Sequence, residues 1–468
     1  MHGSLYMVRY LLGLTLLTIT ACSERSGKDR PIFFSGEIVN PKSDYVVLYH
    51  NDLYVDSVKL DANHRFSFRL DGQKEGLYYF THSPENQSIY LRPGDSILAR
   101  LNTLEFDETL VYSGNGSGIN NFMIEMFLAH EEELPLIQEN FALDPMEFSK
   151  KLDSLRAIKL VYLKEMGREH QFSDRVSAMA EASIDYGTYI HKEQYPFTHK
   201  RMTGEDSFHE LDKGFYAYRK KLDYNNRDLT FYKPYYDFMK MHFGNLAYMN
   251  CLDHCDRKEI TGNRRLHFID HRMAMVDSLV KANDLRDILF RSFAMDYLTL
   301  IKDHRPNQED QEFLEYFRSL SSNEAHKEEI SLLLNSIKNL QPGSGFPDLQ
   351  LRDATNQPVQ IKDLVKGEGH TVVYFWTASQ KRHFENVLEH LQALRTKYPD
   401  YRFVGINLRT SFPQWTHLLN EYGLDRENQF YGENFREIQT TMFLDGLNKC
   451  ILAKDSLVVD GFADIFKL

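Results

Sequence analysis

The sequence predicts a multidomain α+β protein with an N-terminal antiparallel β-sandwich, a central all-helical region and a C-terminal α/β domain. Three observations carry that expectation. Short β-branched and aromatic runs broken by turn dipeptides fill 31–116, and apolar residues at helical spacing fill 117–340. From 341 to 468, two continuous apolar runs flank an amphipathic stretch. At 468 residues, 42% hydrophobic and 13% aromatic, the chain has material for more than one core and lacks the composition of a disordered protein. Its net charge of −12 argues against a nucleic-acid partner, because phosphate affinity comes from clustered Lys and Arg.

Residues 1–21 read as a leader. Arg9 precedes an apolar run from Tyr10 to Ile19 that is too short to span a bilayer, and the run ends in Ile19-Thr20-Ala21-Cys22. That ending resembles the bacterial lipobox, a branched residue and two small ones before the cysteine that receives lipid. The resemblance implies a signal peptide over 1–21, lipidation of Cys22 and a membrane partner reached through that lipid. With Ser23 in place of Asp, it further implies an outer-membrane lipoprotein of the cell envelope, facing the periplasm or the surface. Residues 22–30 then form a polar tether.

In the first folded region, Tyr45–Tyr49 is a strand-like run, and Phe66, Phe68 and Leu70 alternate with polar residues. Gly76–Phe80 and Ser88–Leu91 follow between turn signals. Asp71-Gly72 and Pro93-Gly94 mark turns. In this order the segments resemble the DUF4369-type β domain that precedes thioredoxin-like domains in Bacteroidota lipoproteins, a resemblance that implies context and no catalytic residue.

The middle begins its clearest helix at Asp144-Pro145-Met146-Glu147, a capping box with Pro at the first helical position. Phe148, Leu152, Leu155, Tyr162 and Met166 mark one face. Further helices are expected over 173–192, 230–252, 264–282, 285–303 and 323–339. Their Met and aromatic stripes read as core, with capture of a hydrophobic small molecule as an alternative. With Cys22 lipidated, Cys251, Cys255 and Cys450 are left, an odd number that cannot all pair. Cys251 and Cys255 lie four apart with His254 between them, and His267 and His271 are also four apart. The tight Cys-x2-Cys spacing of tetrahedral zinc motifs is absent, so the sequence predicts no metal and leaves these as buried or partly paired thiols.

Gln341–Gly345 reads as a linker. Beyond it, two short segments flank an Asn356-Gln357-Pro358 turn. Thr371–Trp376 is a buried-type strand, Phe384–Leu394 is amphipathic, and Arg402–Leu408 is a second buried strand, which together imply a parallel pair with a right-handed crossover. Thr440–Ala453 is expected to form a hairpin around Asp445-Gly446. The Pro347–Asp353 opening, the Phe375-Trp376 strand end and the Thr440–Asp445 run resemble thioredoxin-like disulfide reductases of the TlpA and ResA type.

That resemblance implies thiol-disulfide exchange, but the residues depart from it where the chemistry resides. Gln380 and His383 occupy the two cysteine positions, Ser379 the second tryptophan, and Gln439 the cis-proline. Exchange needs a thiolate at the helix N-terminus and a resolving thiol, and an amide and an imidazole supply neither. A non-proline cis bond would cost about 3–4 kcal/mol, so a trans peptide is expected at Gln439. Cys450 reads as a packing residue. The expectation is therefore a redox-inactive thioredoxin-like domain with no catalytic residue and no cofactor, in a binding or scaffolding role. Ser379, Lys381 and Arg382 form a possible interaction corner for an envelope protein or peptide. A TlpA/ResA-like thiol-disulfide oxidoreductase is the rival reading.

Overall fold

The computed structural model describes residues 30–83, 85–255, 264–302 and 305–468. The leader, Cys22 and the tether up to residue 29 lie outside them. Among the described residues no helix is long and apolar enough to cross a membrane.

The N-terminal part consists of two four-stranded sheets. One has the order β4(Arg65–Leu70)-β1(Ile32–Val39)-β7(Ser96–Asn102)-β8(Val111–Asn115), and the other β3(Leu53–Lys59)-β2(Tyr45–His50)-β5(Gly76–His82)-β6(Glu85–Leu91). Strict alternation drives them together: Phe66, Phe68 and Leu70 point inward from β4 while Arg65, Ser67 and Arg69 face out. Phe34, Phe68 and Ile97 from one sheet share a core with Val46, Phe80 and Ile89 from the other. The expected antiparallel sandwich needs one correction, because β1 and β7 are parallel. A parallel pair requires a long crossover, and all four strands of the second sheet, with β4, lie within it.

The middle holds α1(Ser117–Asn140), α2(Pro145–Glu169), α3(Asp174–Thr203), α4(Lys233–His254), α5(Arg264–Leu279), α6(Asn283–Ile301), α7(Gln308–Leu320) and α8(Glu324–Asn339). Asp144 caps α2 by accepting from the Met146 and Glu147 amides, with Pro145 in the first turn. Helix α3 runs past its expected end at 192 and through Pro196. Tertiary contacts hold the extension, chiefly through Glu193, which is fully buried. Its carboxylate accepts from Tyr218 Oη at 2.6 Å, Arg219 Nε at 2.9 Å, His242 Nδ1 at 2.7 Å and Asn245 Nδ2 at 2.7 Å. Burial would raise this carboxyl's pKa, but the His242 and Arg219 hydrogen bonds outweigh it and hold the pKa below the ordinary value. Helix α7 was not expected individually, although Asn307 and Asp310 form a reciprocal capping box at its start.

The C-terminal sheet has the order β10(Pro358–Gln360)-β9(Gln350–Arg352)-β13(Gln429–Tyr431)-β12(Arg402–Asn407)-β11(His370–Trp376)-β14(Lys449–Lys454)-β15(Leu457–Asp464). Strands β11, β12 and β13 are mutually parallel, while β14 runs antiparallel to β11 and β15 antiparallel to β14. Helix α9(Lys381–Lys397) joins β11 to β12 and buries Phe384, Val387, Leu391 and Leu394. A parallel strand-helix-strand unit followed by an antiparallel hairpin on the far side of its first strand is the thioredoxin-like arrangement. Helices α10(Phe412–Glu421) and α11(Phe435–Thr441) complete the domain.

The expected terminal hairpin is displaced. Phe435–Thr441 is helical, and the hairpin is β14 with β15, turning at Asp455 and Ser456, both with positive φ. The uninterrupted apolar content of Cys450–Ala453 suits a strand paired on both sides better than the Thr440–Leu444 run does.

The Gln341–Gly345 break is docked as well as turned. The Gly343 amide donates to Val458 O and the Phe346 amide to Ser456 O, both at 2.8 Å, so the segment lies along β15. One hydrophobic core runs across this junction, from Phe293 and Ile337 in the helices to Val373, Ile406 and Ile451 in the sheet.

Candidate functional site

Strand β11 delivers the chain to the corner where reacting thiols would sit. Trp376 is buried and stacks on Phe384 at 4.1 Å, and its Nε1 donates to Gln429 Oε1 at 3.0 Å, so both sides of the corner are anchored in the core. The Ser379 amide donates to Thr377 Oγ1 at 3.4 Å, and the Ala378 amide to Thr410 Oγ1 at 3.3 Å. Gln380 is the N-cap of α9, makes no side-chain capping bond and is exposed. Lys381 and Arg382 are exposed too, and Lys381 lies 3.8 Å from Glu385. His383 is half-buried, with its Nε2 2.9 Å from Asn448 Oδ1 and its ring edge-on to Phe466 at 5.9 Å.

The residue facing this corner from the opposite loop is therefore Asn448, just before β14. Gln439 does not take that place: it is exposed on α11, because the strand that enters beside the corner begins at Lys449. Cys450 sits centrally in the sheet opposite Tyr374, fully buried, and burial pushes its thiol up to about 12. A thiol so placed is neither ionised nor reachable.

Thr410 links the corner to a cleft of about 1150 Å³ between the sandwich and the C-terminal domain. Its sandwich wall is the Asn40–Asp44 loop with Asp61 and His64, and its other wall includes Arg409, Gln414 and Glu433. Asn40, His64 and Arg409 all adopt positive φ, at 54°, 58° and 52°. Of the three, Arg409 is the least suited to it, and its guanidinium is held 3.8 Å from the Phe435 ring centroid. Buried His82 organises the sandwich wall. Its Nε2 accepts from the Lys42 and Ser43 amides at 2.9 and 3.3 Å, which places the ring proton on Nδ1 facing Tyr45 O at 3.2 Å. Burial lowers its pKa, so the ring stays neutral.

The middle of the chain brings together a second group. Cys251 and Cys255 on the last turn of α4 face His267 and His271 on α5, with the four ligand atoms within 4.8 Å of one another. The signal for it was present in the sequence as two four-residue spacings on consecutive helices. Burial, reinforced by Cys255, pushes the Cys251 thiol up to about 11. Burial also lowers the pKa of His271, as does neighbouring His267. A third group, His199, Glu205 and His209, is already paired internally, with Glu205 Oε1 3.0 Å from His209 Nδ1 and 3.5 Å from His199 Nε2.

No family model matches the chain. No curated protein matches it either. Among solved structures, the thioredoxin domain of a thiol-disulfide oxidoreductase from Bacteroides vulgatus is 17% identical and aligns over 27% of this chain and 94% of its own, with a TM-score of 0.23. A thiol:disulfide interchange protein from Bacteroides sp. is 18% identical over 26% of this chain and 81% of its own, at 0.22. A thiol peroxidase from Chromobacterium violaceum is 14% identical over 25% and 73%, at 0.21. Likenesses this shallow say nothing about activity. The thioredoxin-like assignment stands on the order and direction of the strands.

Proposed function

We propose that this chain is an envelope-anchored lipoprotein whose thioredoxin-like domain performs no disulfide exchange and instead contributes to a binding site, in a scaffolding role. The observation that carries this reading is a corner without sulfur hydrogen-bonded, through Thr410, to the lining of a neighbouring cleft. Gln380 and His383 stand where a dithiol is required, His383 is tied to Asn448, and Thr410 joins the corner to the cleft beside it. The cleft has the size of a ligand or peptide site, and polar groups from two different parts of the chain converge on it. Its walls carry both signs of charge, Lys42, Asp44 and Asp61 on the sandwich side and Arg409 and Glu433 on the other, which suits a zwitterionic or mixed-charge peptide segment. The helical region shares in a smaller cavity of about 110 Å³ beside β5 and α3, below the usual size of a small-molecule pocket. Lipidation at Cys22 and an outer-membrane address belong to the same proposal and rest on the lipobox resemblance of the leader.

The test is site-directed photo-crosslinking in the native envelope from Lys381 and from Gln414, with Arg69 on the outer face of the sandwich as control. A discrete partner captured from the first two positions and not from Arg69 is expected. Equal labelling from all three would overturn the reading.

A further inference from the structure

We propose that Cys251, Cys255, His267 and His271 form a closed tetrahedral site for a zinc-class divalent cation that staples α4 to α5. The Cys251 Sγ to His267 Nε2 distance is 3.4 Å, Cys255 Sγ to His267 Nε2 is 3.4 Å, and Cys255 Sγ to His271 Nε2 is 3.6 Å. With Zn–S near 2.3 Å and Zn–N near 2.0–2.1 Å, the S···N edge of a regular tetrahedron is about 3.6 Å. Three of the four sulfur–nitrogen separations already match that edge, and all four ligand atoms lie within 4.8 Å of one another.

Thiol–imidazole hydrogen bonding is the competing account, and it does not fit the connectivity. His267 Nε2 faces two sulfurs and Cys255 Sγ faces two ring nitrogens. A thiol can donate once and accept as well, but a ring nitrogen offers one proton or one lone pair, so His267 Nε2 cannot make a well-formed hydrogen bond to both sulfurs. A cation in the middle gives every one of the four atoms a partner at once.

Helix geometry explains how the site arises. Residues four apart share a helical face, and the Cys255 amide donates to Cys251 O at 3.0 Å, so the last turn of α4 continues to Cys255 and aligns both sulfurs. On α5 the same spacing brings the His267 and His271 rings to 4.5 Å. Spacings of three intervening residues within each pair lie inside the range for Cys2His2 sites. Two sulfurs and two nitrogens select a borderline-soft tetrahedral ion over magnesium or calcium, which take oxygen ligands. Four protein ligands leave no open position, so the role is structural. Binding forms two metal–sulfur and two metal–nitrogen bonds and releases the two thiol protons to solvent.

The experiment uses the full chain in detergent, reduced and stripped with a chelator, titrated with Co²⁺ and followed by absorption. One equivalent is expected to produce thiolate-to-cobalt charge transfer and the visible bands of a tetrahedral centre, both abolished by Zn²⁺. Cys255→Ser and His267→Gln should each weaken binding by more than about 100-fold, the upper range for loss of a mere supporting partner. His271→Cys should keep a centre with a stronger charge-transfer band, and Cys450→Ser should leave the titration unchanged. No charge-transfer band in wild-type chain with native circular dichroism would overturn the proposal, whatever the variants do. A band undiminished in folded Cys255→Ser would also overturn it.

Discussion

His82 controls a wall of the cleft through a neutral ring. Its folded pKa is lowered by burial, so below about pH 6.5 an unfolded chain takes up a proton that the folded one refuses. Stability from this group is complete above that pH and is lost as pH falls toward the folded value. His82→Phe is expected to remove that acid sensitivity while freeing the Lys42 and Ser43 amides, read as faster amide exchange in the Asn40–Asp44 loop. Lys449 is a second buried base shifted in the same direction, over a higher pH range. Burial pushes it down to about 7, although its Nζ donates to Phe443 O at 3.1 Å and lies 4.2 Å from the Phe462 ring. Between that value and the ordinary lysine range the unfolded state holds the extra proton, so this group's contribution to stability rises with pH. Lys449→Met should therefore raise the melting temperature most at pH 7 and progressively less toward pH 10, which paired thermal melts would show.

At the scale of elements, the α3–α4 pair depends on Glu193. Removing it leaves Arg219 and His242 without their buried acceptor, so Glu193→Ala should cost about 3–5 kcal/mol in denaturant unfolding, with loss of helix beyond residue 192. The docking of β15 against the end of α8 depends on a missing side chain. A Cβ at Gly461 would lie 2.1 Å from Leu340 O, a backbone atom that cannot yield without moving the helix end. Gly461→Ala should destabilise by about 1–3 kcal/mol, checked by the same method, whereas Ala at Gly446, which meets nothing nearby, should not. The continuity of the core across Gln341 makes these losses felt in both the helices and the sheet.

For the whole molecule, the proposed reading predicts no turnover. The reduced full chain should not accelerate insulin reduction above the free-thiol background, and Cys450→Ser should change nothing, because that thiol is inside the sheet. Replacing Gln380 and His383 with cysteine would restore the dithiol spacing, and activity in that double variant alone would show that the scaffold is intact and that only the reacting atoms are missing. Activity in the wild type would refute the reading.

Local pattern was enough for much of this protein. Alternation in Phe66, Phe68 and Leu70, the Asp144 cap and the apolar Thr371–Trp376 run each dictate an element through neighbours a few residues away, and the absence of cysteine at 380 and 383 is a fact of sequence alone. Choices between competing segments were not legible there. Both Thr440–Leu444 and Cys450–Ala453 can form a strand, and pairing with β11 selected the second, moving the corner's partner from Gln439 to Asn448. Helix α3 outlasts its own pattern because Glu193 finds its donors on other segments. The approach of Cys251 and Cys255 to His267 and His271, and the cleft joining Asn40 to Arg409, are distances between elements, and only packing of the whole chain decides those.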